Sequence, residues 1–253
     1  METKKGEKFI RVQNLHKRLG QQEVLRGFDL EVELGETVVI LGRSGGGKSV
    51  FLKHIIGLMK PNSGEVFVDS QDVVKLSERQ LAPVRRKVGI LFQSAALFDS
   101  MSVEQNIAFP LHEAGIKDLK LIDQKVAEAL EMVDLAGEQK KMPENLSGGM
   151  KKRVGLARAI VGAPRCILYD EPTTGLDPIV ADSINRLIRR LQKRLGVTSI
   201  VVTHDMKSAF HVADRIAFLH EGRNYFTGTP EELKADSDPL IQNFINGHSG
   251  EID

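Results

Sequence analysis

Three stretches of this chain combine residue types and spacings suited to handling phosphate groups. The first is Gly42-Arg43-Ser44-Gly45-Gly46-Gly47-Lys48-Ser49, with Val50 following. Its four glycines let the backbone curl with N–H groups pointing inward, and a helix starting behind them adds its positive N-terminal end. Lys48 is then placed to reach terminal phosphates, and Ser49 to ligate Mg²⁺. A simple strand-to-helix turn needs neither a Lys-Ser pair nor so many glycines, so the expectation is nucleotide binding. The second stretch, Ile167-Leu168-Tyr169-Asp170-Glu171, ends an apolar run in two carboxylates. Asp170 can hold Mg²⁺, directly or through water, while Glu171 can polarise a water for attack on a phosphate. The third is Leu146-Ser147-Gly148-Gly149-Met150, running into Lys151-Lys152-Arg153-Val154. Ser147 can cap a helix whose first amides the two glycines leave open to an anion.

These stretches need rigid elements to aim them. Thr37-Val38-Val39-Ile40-Leu41 reads as a buried strand entering the glycine loop, and Val50-Phe51-Leu52-Lys53-His54-Ile55-Ile56 as the helix leaving it. Before them, residues 9–41 read as strands: Phe9-Ile10-Arg11-Val12 opens, and Phe28, Leu30, Val32 and Leu34 alternate with acidic residues. Glu65-Val66-Phe67-Val68-Asp69 is a further strand, and Val88-Gly89-Ile90-Leu91-Phe92 another that ends beside Gln93. From about 94 to 164 helical periodicity takes over, with Ser102-x-x-Gln105 in the form of a capping box and Val126, Leu130 and Val133 at helical spacing. Strand character returns at Cys166-Ile167-Leu168-Tyr169. A helix follows with Ile184, Leu187, Ile188, Leu191 and Leu195 on one face, then the strand Thr198-Ser199-Ile200-Val201-Val202. Two closing strands, around Ile216–Leu219 and Tyr225, and a helical tail over about 230–253 complete the chain. Strands alternating with helices imply a parallel sheet covered on both faces.

The 253 residues are enough for one large domain, 1–253, with a sizeable core. With 35 basic and 34 acidic side chains the net charge is +1, which leaves no electrostatic footprint for nucleic acid. No apolar run approaches the ~18 residues of a membrane span, and the charged start Met1–Lys8 lacks an apolar region, so the reading is a cytoplasmic protein. Cys166, the one cysteine, sits in an apolar run and reads as a small core residue.

Taken in order, Gly42 to Ser49, Gln93, Leu146 to Met150, Ile167 to Glu171, Thr174-Gly175-Leu176-Asp177 and His204 resemble the ATP-binding subunits of ABC transporters over nearly the whole chain. The resemblance implies an α/β fold of the P-loop NTPase class, ABC ATPase type. It would have a mixed sheet core, an antiparallel β part and an inserted helical subdomain. It also implies ATP and Mg²⁺ as ligands, and a head-to-tail homodimer in which one subunit's phosphate loop faces the other's Ser147-Gly148-Gly149. On this likeness Gln93 would sense Mg²⁺ and the attacking water, His204 would contact the terminal phosphate, and Asp177 would organise the opposite site. Glu171 is preferred to His204 as the base, since a carboxylate is ionised at neutral pH without tuning. Two departures stand out: Leu19 where many relatives carry an adenine-stacking aromatic, and Met150 where many carry Gln.

Within that family, the glycine loop with Val50, the run Gln93–Val103 containing Ala96-Leu97-Phe98-Asp99-Ser100, Asn106–Leu111 and the Met150-ended signature are similar to the ATPases of Mla-type phospholipid transporters. That likeness implies an integral membrane permease, an MCE-domain lipid-binding protein, a STAS-domain regulator, and a peripheral place on the cytoplasmic face of the inner membrane. Leu97, Phe98, Met101, Phe109 and Leu111 are candidates for a groove receiving the permease, although Phe109 and Leu111 suit the helical region's own core better. The rival reading is an ATPase for importing amino acids or another small polar solute. A DNA-repair or ribosome-acting protein would call for tandem nucleotide domains, a coiled coil or a basic patch. A non-catalytic scaffold would call for replacement of Lys48, Asp170 or Glu171, all of which are present.

Overall fold

The computed structural model describes residues 6–248; the first five residues and the last five of the expected helical tail lie outside them. Two sheets carry the molecule. In the four-stranded antiparallel sheet, β1 (Lys8–Leu19) lies between β2 (Gln22–Glu33) and β4 (Ser63–Val68), and the short β5 (Gln71–Asp72) follows β4. Leu34 lies just past β2, its amide donating to the Glu7 carbonyl at 2.8 Å instead of extending the strand.

The six-stranded sheet has β3 (Thr37–Leu41) between β8 (Thr198–Thr203) and β9 (Arg215–His220), with β7 (Cys166–Asp170) and β6 (Val88–Leu91) beyond β8 and β10 (Arg223–Gly228) outside β9. All its pairings are parallel except β9 with β10. The carboxyl ends of three strands are level, since Leu41 pairs with Thr203 and Asp170 with Val202. Loops after parallel strands gather ligands at that edge.

Alternation along β3 explains the two cores. Val38 and Ile40 point into a cluster with the antiparallel sheet, joined by Phe28, Phe51, Cys166 and Leu168. Val39 and Leu41 face the other way, with Ile167, Tyr169 and Val201, against the helices. Successive strand residues are thus apolar on both faces, and every residue of β3 is buried.

α1 (Lys48–Ile55) follows the glycine loop and α2 (Glu78–Arg86) precedes β6. The sequence reading passed over α2, whose composition is polar and which contains Pro83. A Ser-x-x-Gln signal was nonetheless there, since the Ser77 amide donates to Gln80 Oε1 at 3.0 Å. α3 (Val103–Glu113), α4 (Leu119–Met132) and α5 (Gly148–Ile160) fill the helical stretch. α5 also reaches the main sheet: a Cβ on Gly89 of β6 would stand 2.3 Å from the Ala159 carbonyl oxygen, so only glycine admits that approach. α6 (Pro178–Leu195), α7 (Met206–Val212), α8 (Pro230–Ala235) and α9 (Pro239–Asn246) complete the chain.

Candidate active site

The loop between β3 and α1 is shaped by its glycines. Gly45 and Gly47 have φ of 77° and 101°, left-handed values that L side chains rarely adopt. A Cβ on Gly42 would lie 2.6 Å from the Leu219 carbonyl oxygen. The turn is closed by the Gly46 amide donating to the Arg43 carbonyl at 3.1 Å. Lys48, only 5% exposed, folds back over this loop and donates to the carbonyls of Gly42 (2.8 Å) and Arg43 (3.0 Å). Ser44 lies on the loop's exposed rim, while Ser49 and Val50 lie in the first turn of α1.

Ser49 Oγ donates to Asp170 Oδ1 at 2.7 Å, so the two residues proposed as metal ligands already touch across 121 residues of sequence. Burial holds the Asp170 carboxyl above the usual carboxylate range; the Ser49 hydrogen bond works against that and the neighbouring Glu171 works with it. A hydroxyl and a carboxylate oxygen side by side are hard donors of the kind Mg²⁺ takes. Among the described residues no cluster of three or more His, Cys, Asp or Glu can hold a metal ion.

Glu171 is 7% exposed and densely partnered. Lys48 Nζ stands 3.3 Å from Oε1. Thr174 and Thr203 hydroxyls donate to Oε2 at 3.2 and 3.3 Å. His204 Nδ1 lies 3.0 Å from both oxygens, so the ring presents an N–H to the carboxylate. The Glu171 backbone is unusual, with φ of 47° on a non-glycine residue that also precedes Pro172. Left-handed backbone costs an L-residue about 1–2 kcal/mol, and a following proline disfavours helical conformations further.

The remaining expected residues lie around this centre. Gln93 follows β6 by two positions and is exposed, while its carbonyl accepts from Lys152 Nζ at 2.5 Å. Ser147 caps α5, accepting from the Met150 amide at 3.3 Å. Ser147 and Gly148 are exposed, and among the described residues no side chain of Ser147–Gly149 bonds the phosphate loop. Asp177 caps α6, accepting from the amides of Ile179 and Val180 at 3.0 Å each. Exposed Leu19 stands at the tip of the β1–β2 hairpin. The geometry thus joins Lys48, Glu171 and His204 in one contact network, pairs Ser49 with Asp170 at the adjoining chain positions, and leaves the signature and Asp177 facing outward. Lys152, 5% exposed, was missed; its only signal was a lysine inside a stretch otherwise read as signature helix.

The family profile described as ABC transporter matches residues 25–174. The chain belongs to the ABC transporter family, as an ATP-binding ATPase domain. Along 238 residues it is 40% identical to a "Probable ribonucleotide transport ATP-binding protein mkl" of Mycobacterium leprae, covering 94% of this chain and 69% of that protein. It is 41% identical to the "Intermembrane phospholipid transport system ATP-binding protein MlaF" of Haemophilus influenzae, covering 96% of this ABC chain and 92% of that one. A "Fe(3+) ions import ATP-binding protein FbpC" of Vibrio cholerae is 40% identical over 94% of this chain and 66% of its own length. Among solved structures, the ATP-binding cassette MJ0796, dimeric in a post-hydrolysis state with ADP and Pi, superposes with a TM-score of 0.80 at 32% identity, covering 87% of this chain and 98% of that one. The expected α/β cassette fold with its mixed and antiparallel sheets is the fold observed.

Proposed function

We propose that this ABC ATPase powers phospholipid transport through an integral membrane permease and an MCE-domain partner, as a homodimer held peripherally at the inner face of the membrane. The likeness to the phospholipid-system protein of Haemophilus influenzae over 96% of this chain carries the lipid assignment. The Met150-ended signature and the Ala96–Ser100 run are in keeping with it. A STAS-domain regulator belongs to the same reading.

In the reading advanced here, Lys48 and the amides of Gly42–Ser49 hold the ATP phosphates, and Val50 continues that cradle into α1. Ser49, Asp170 and Gln93 would hold Mg²⁺, which would supply positive charge against that of the phosphates. Glu171 orients and deprotonates the attacking water, and His204, already on the Glu171 carboxylate, faces the terminal phosphate. Ser147, Gly148 and Gly149 contact the nucleotide of the partner subunit, where Asp177 also acts. Their exposure and separation from the phosphate loop suit that role. ATP binds tightly only between closed subunits, so it shifts the population toward closure, and hydrolysis returns it.

A groove of about 720 Å³ runs between α2, α3, α5 and β6, lined among others by Phe92, Phe98, Phe109, Pro110 and Arg158. Phe98 is 40% exposed at this groove, and its ring centroid is 4.8 Å from that of Phe109. Leu111 is buried, as core packing requires, and Phe109 is half-buried; both reach the groove lining. An apolar groove of this kind fits a permanently docked permease segment.

A second reading, import of a small polar solute or ion, is favoured by the 40% identity to the Fe(3+) protein of Vibrio cholerae. Purifying the tagged chain from its own membranes in mild detergent and identifying its companions by mass spectrometry tests both. A permease with an MCE-domain protein and bound phospholipid is expected. A permease with a soluble solute-binding protein would move the assignment to import and leave the ATPase chemistry untouched.

A further inference from the structure

Lys152 is a buried cation with no carboxylate among its hydrogen-bond partners in the described residues. It sits in the first turns of α5, five residues after the Ser147 cap. Its ammonium instead donates to two backbone carbonyls, that of Gln93 at 2.5 Å and that of Glu171 at 3.1 Å. Burial lowers its pKa, and the nearby charges of Asp170 and Glu171 push it back up. Packing alone would favour an apolar side chain of the same length here, because a desolvated ammonium is costly unless its donors are used.

What those donors hold is the conformation described for Glu171. That left-handed backbone before proline is secured on one side by its amide donating to the Val202 carbonyl at 2.9 Å. On the other, its carbonyl accepts from Lys152 and, at 3.3 Å, from the Thr174 amide. The Gln93 loop is gripped from the same helix. Arg158 donates to the carbonyls of Ala95 (2.6 Å) and Ala96 (2.8 Å), two alanines that also have left-handed φ.

We propose that Lys152 is a positioning residue for ATP hydrolysis. It keeps the Glu171 backbone turned so that the carboxylate faces Lys48, and it ties that strand end and the Gln93 loop to the helix opened by Ser147. One ammonium thus joins the two loops that act on this subunit's nucleotide to the helix offered to the partner's. The inference rests on the reading of Glu171 as the base.

The test is a double-mutant cycle on the full chain with Mg·ATP, using Lys152→Met, which keeps the stem and removes the donors. Alone, it lowers kcat about tenfold or more while affinity for a fluorescent ATP analogue stays within about threefold. In the Glu171→Gln background it changes the residual rate by less than about twofold, because the group it positions is already disabled. Lys152→Gln, which keeps a shorter donor, recovers part of kcat. It replaces the methionine variant in the cycle should that variant lack a cooperative melting transition. A parent-like kcat in Lys152→Met, or the same fractional loss with and without Glu171→Gln, overturns the proposal. A parent-like rate in Glu171→Gln alone overturns the base reading instead, so the two failures are separable.

Discussion

Lys48 Nζ and Glu171 Oε1 stand 3.3 Å apart with both side chains almost out of solvent, so the phosphate loop and the end of β7 share one ion pair. Truncating Lys48 leaves a buried carboxylate on hydroxyl and imidazole partners alone. Lys48→Ala is expected to weaken nucleotide binding at least about tenfold and to lower stability by about 1–3 kcal/mol. Equilibrium titration with a fluorescent ATP analogue and a thermal melt measure the two effects. Unchanged affinity would remove Lys48 from the phosphate site.

Glu171→Gln preserves shape and the reach to Thr174 and Thr203 but abolishes the charge. Hydrolysis should drop by about a hundredfold or more, and an ATP-bound dimer should accumulate on size-exclusion chromatography. Turnover at the parent rate would mean that another group activates water.

The Ser49–Asp170 hydrogen bond places the candidate metal donors together before any ion arrives. Asp170→Asn and Ser49→Ala are each expected to raise the Mg²⁺ concentration for half-maximal hydrolysis by roughly tenfold, with nucleotide binding in EDTA unchanged. A Mg²⁺ titration identical to the parent's would sink the assignment.

His54, buried in α1 behind the phosphate loop, has its pKa lowered from 6.5 to about 4, chiefly by desolvation. Its Nδ1–H donates to the Val50 carbonyl at 2.7 Å, and Nε2 is buried without a hydrogen-bond partner among the described residues. The unfolded chain therefore binds a proton that the folded chain refuses, and stability falls as pH drops from about 6.5 toward 4. The full loss from this residue is roughly 3 kcal/mol. Melting curves between pH 7 and 4.5 should show the decline, and His54→Leu should flatten it; equal slopes for the two proteins would exclude His54 as its source.

Local chemistry made much of this molecule legible in its sequence. The apolar run into Gly42, the glycines up to Lys48-Ser49, the caps Ser102 and Ser147 and the strand ending in Asp170-Glu171 each depend on residues a few positions apart, where propensity and steric limits act directly. α2 escaped notice because Pro83 and a polar surface hid a short helix whose buried contacts, Leu81 and Val84, are tertiary. Which strands adjoin β3, and hence that Leu41 and Thr203 end level, depends on pairing between segments more than a hundred residues apart, and Asp170 joins that edge through the pairing of β7 with β8. The left-handed Glu171 and its contacts with Lys48, His204 and Lys152 were likewise decided only in three dimensions. A strained backbone and a buried ammonium are stable only when packed neighbours supply their hydrogen bonds, and no residue's own type or immediate sequence neighbours can specify them.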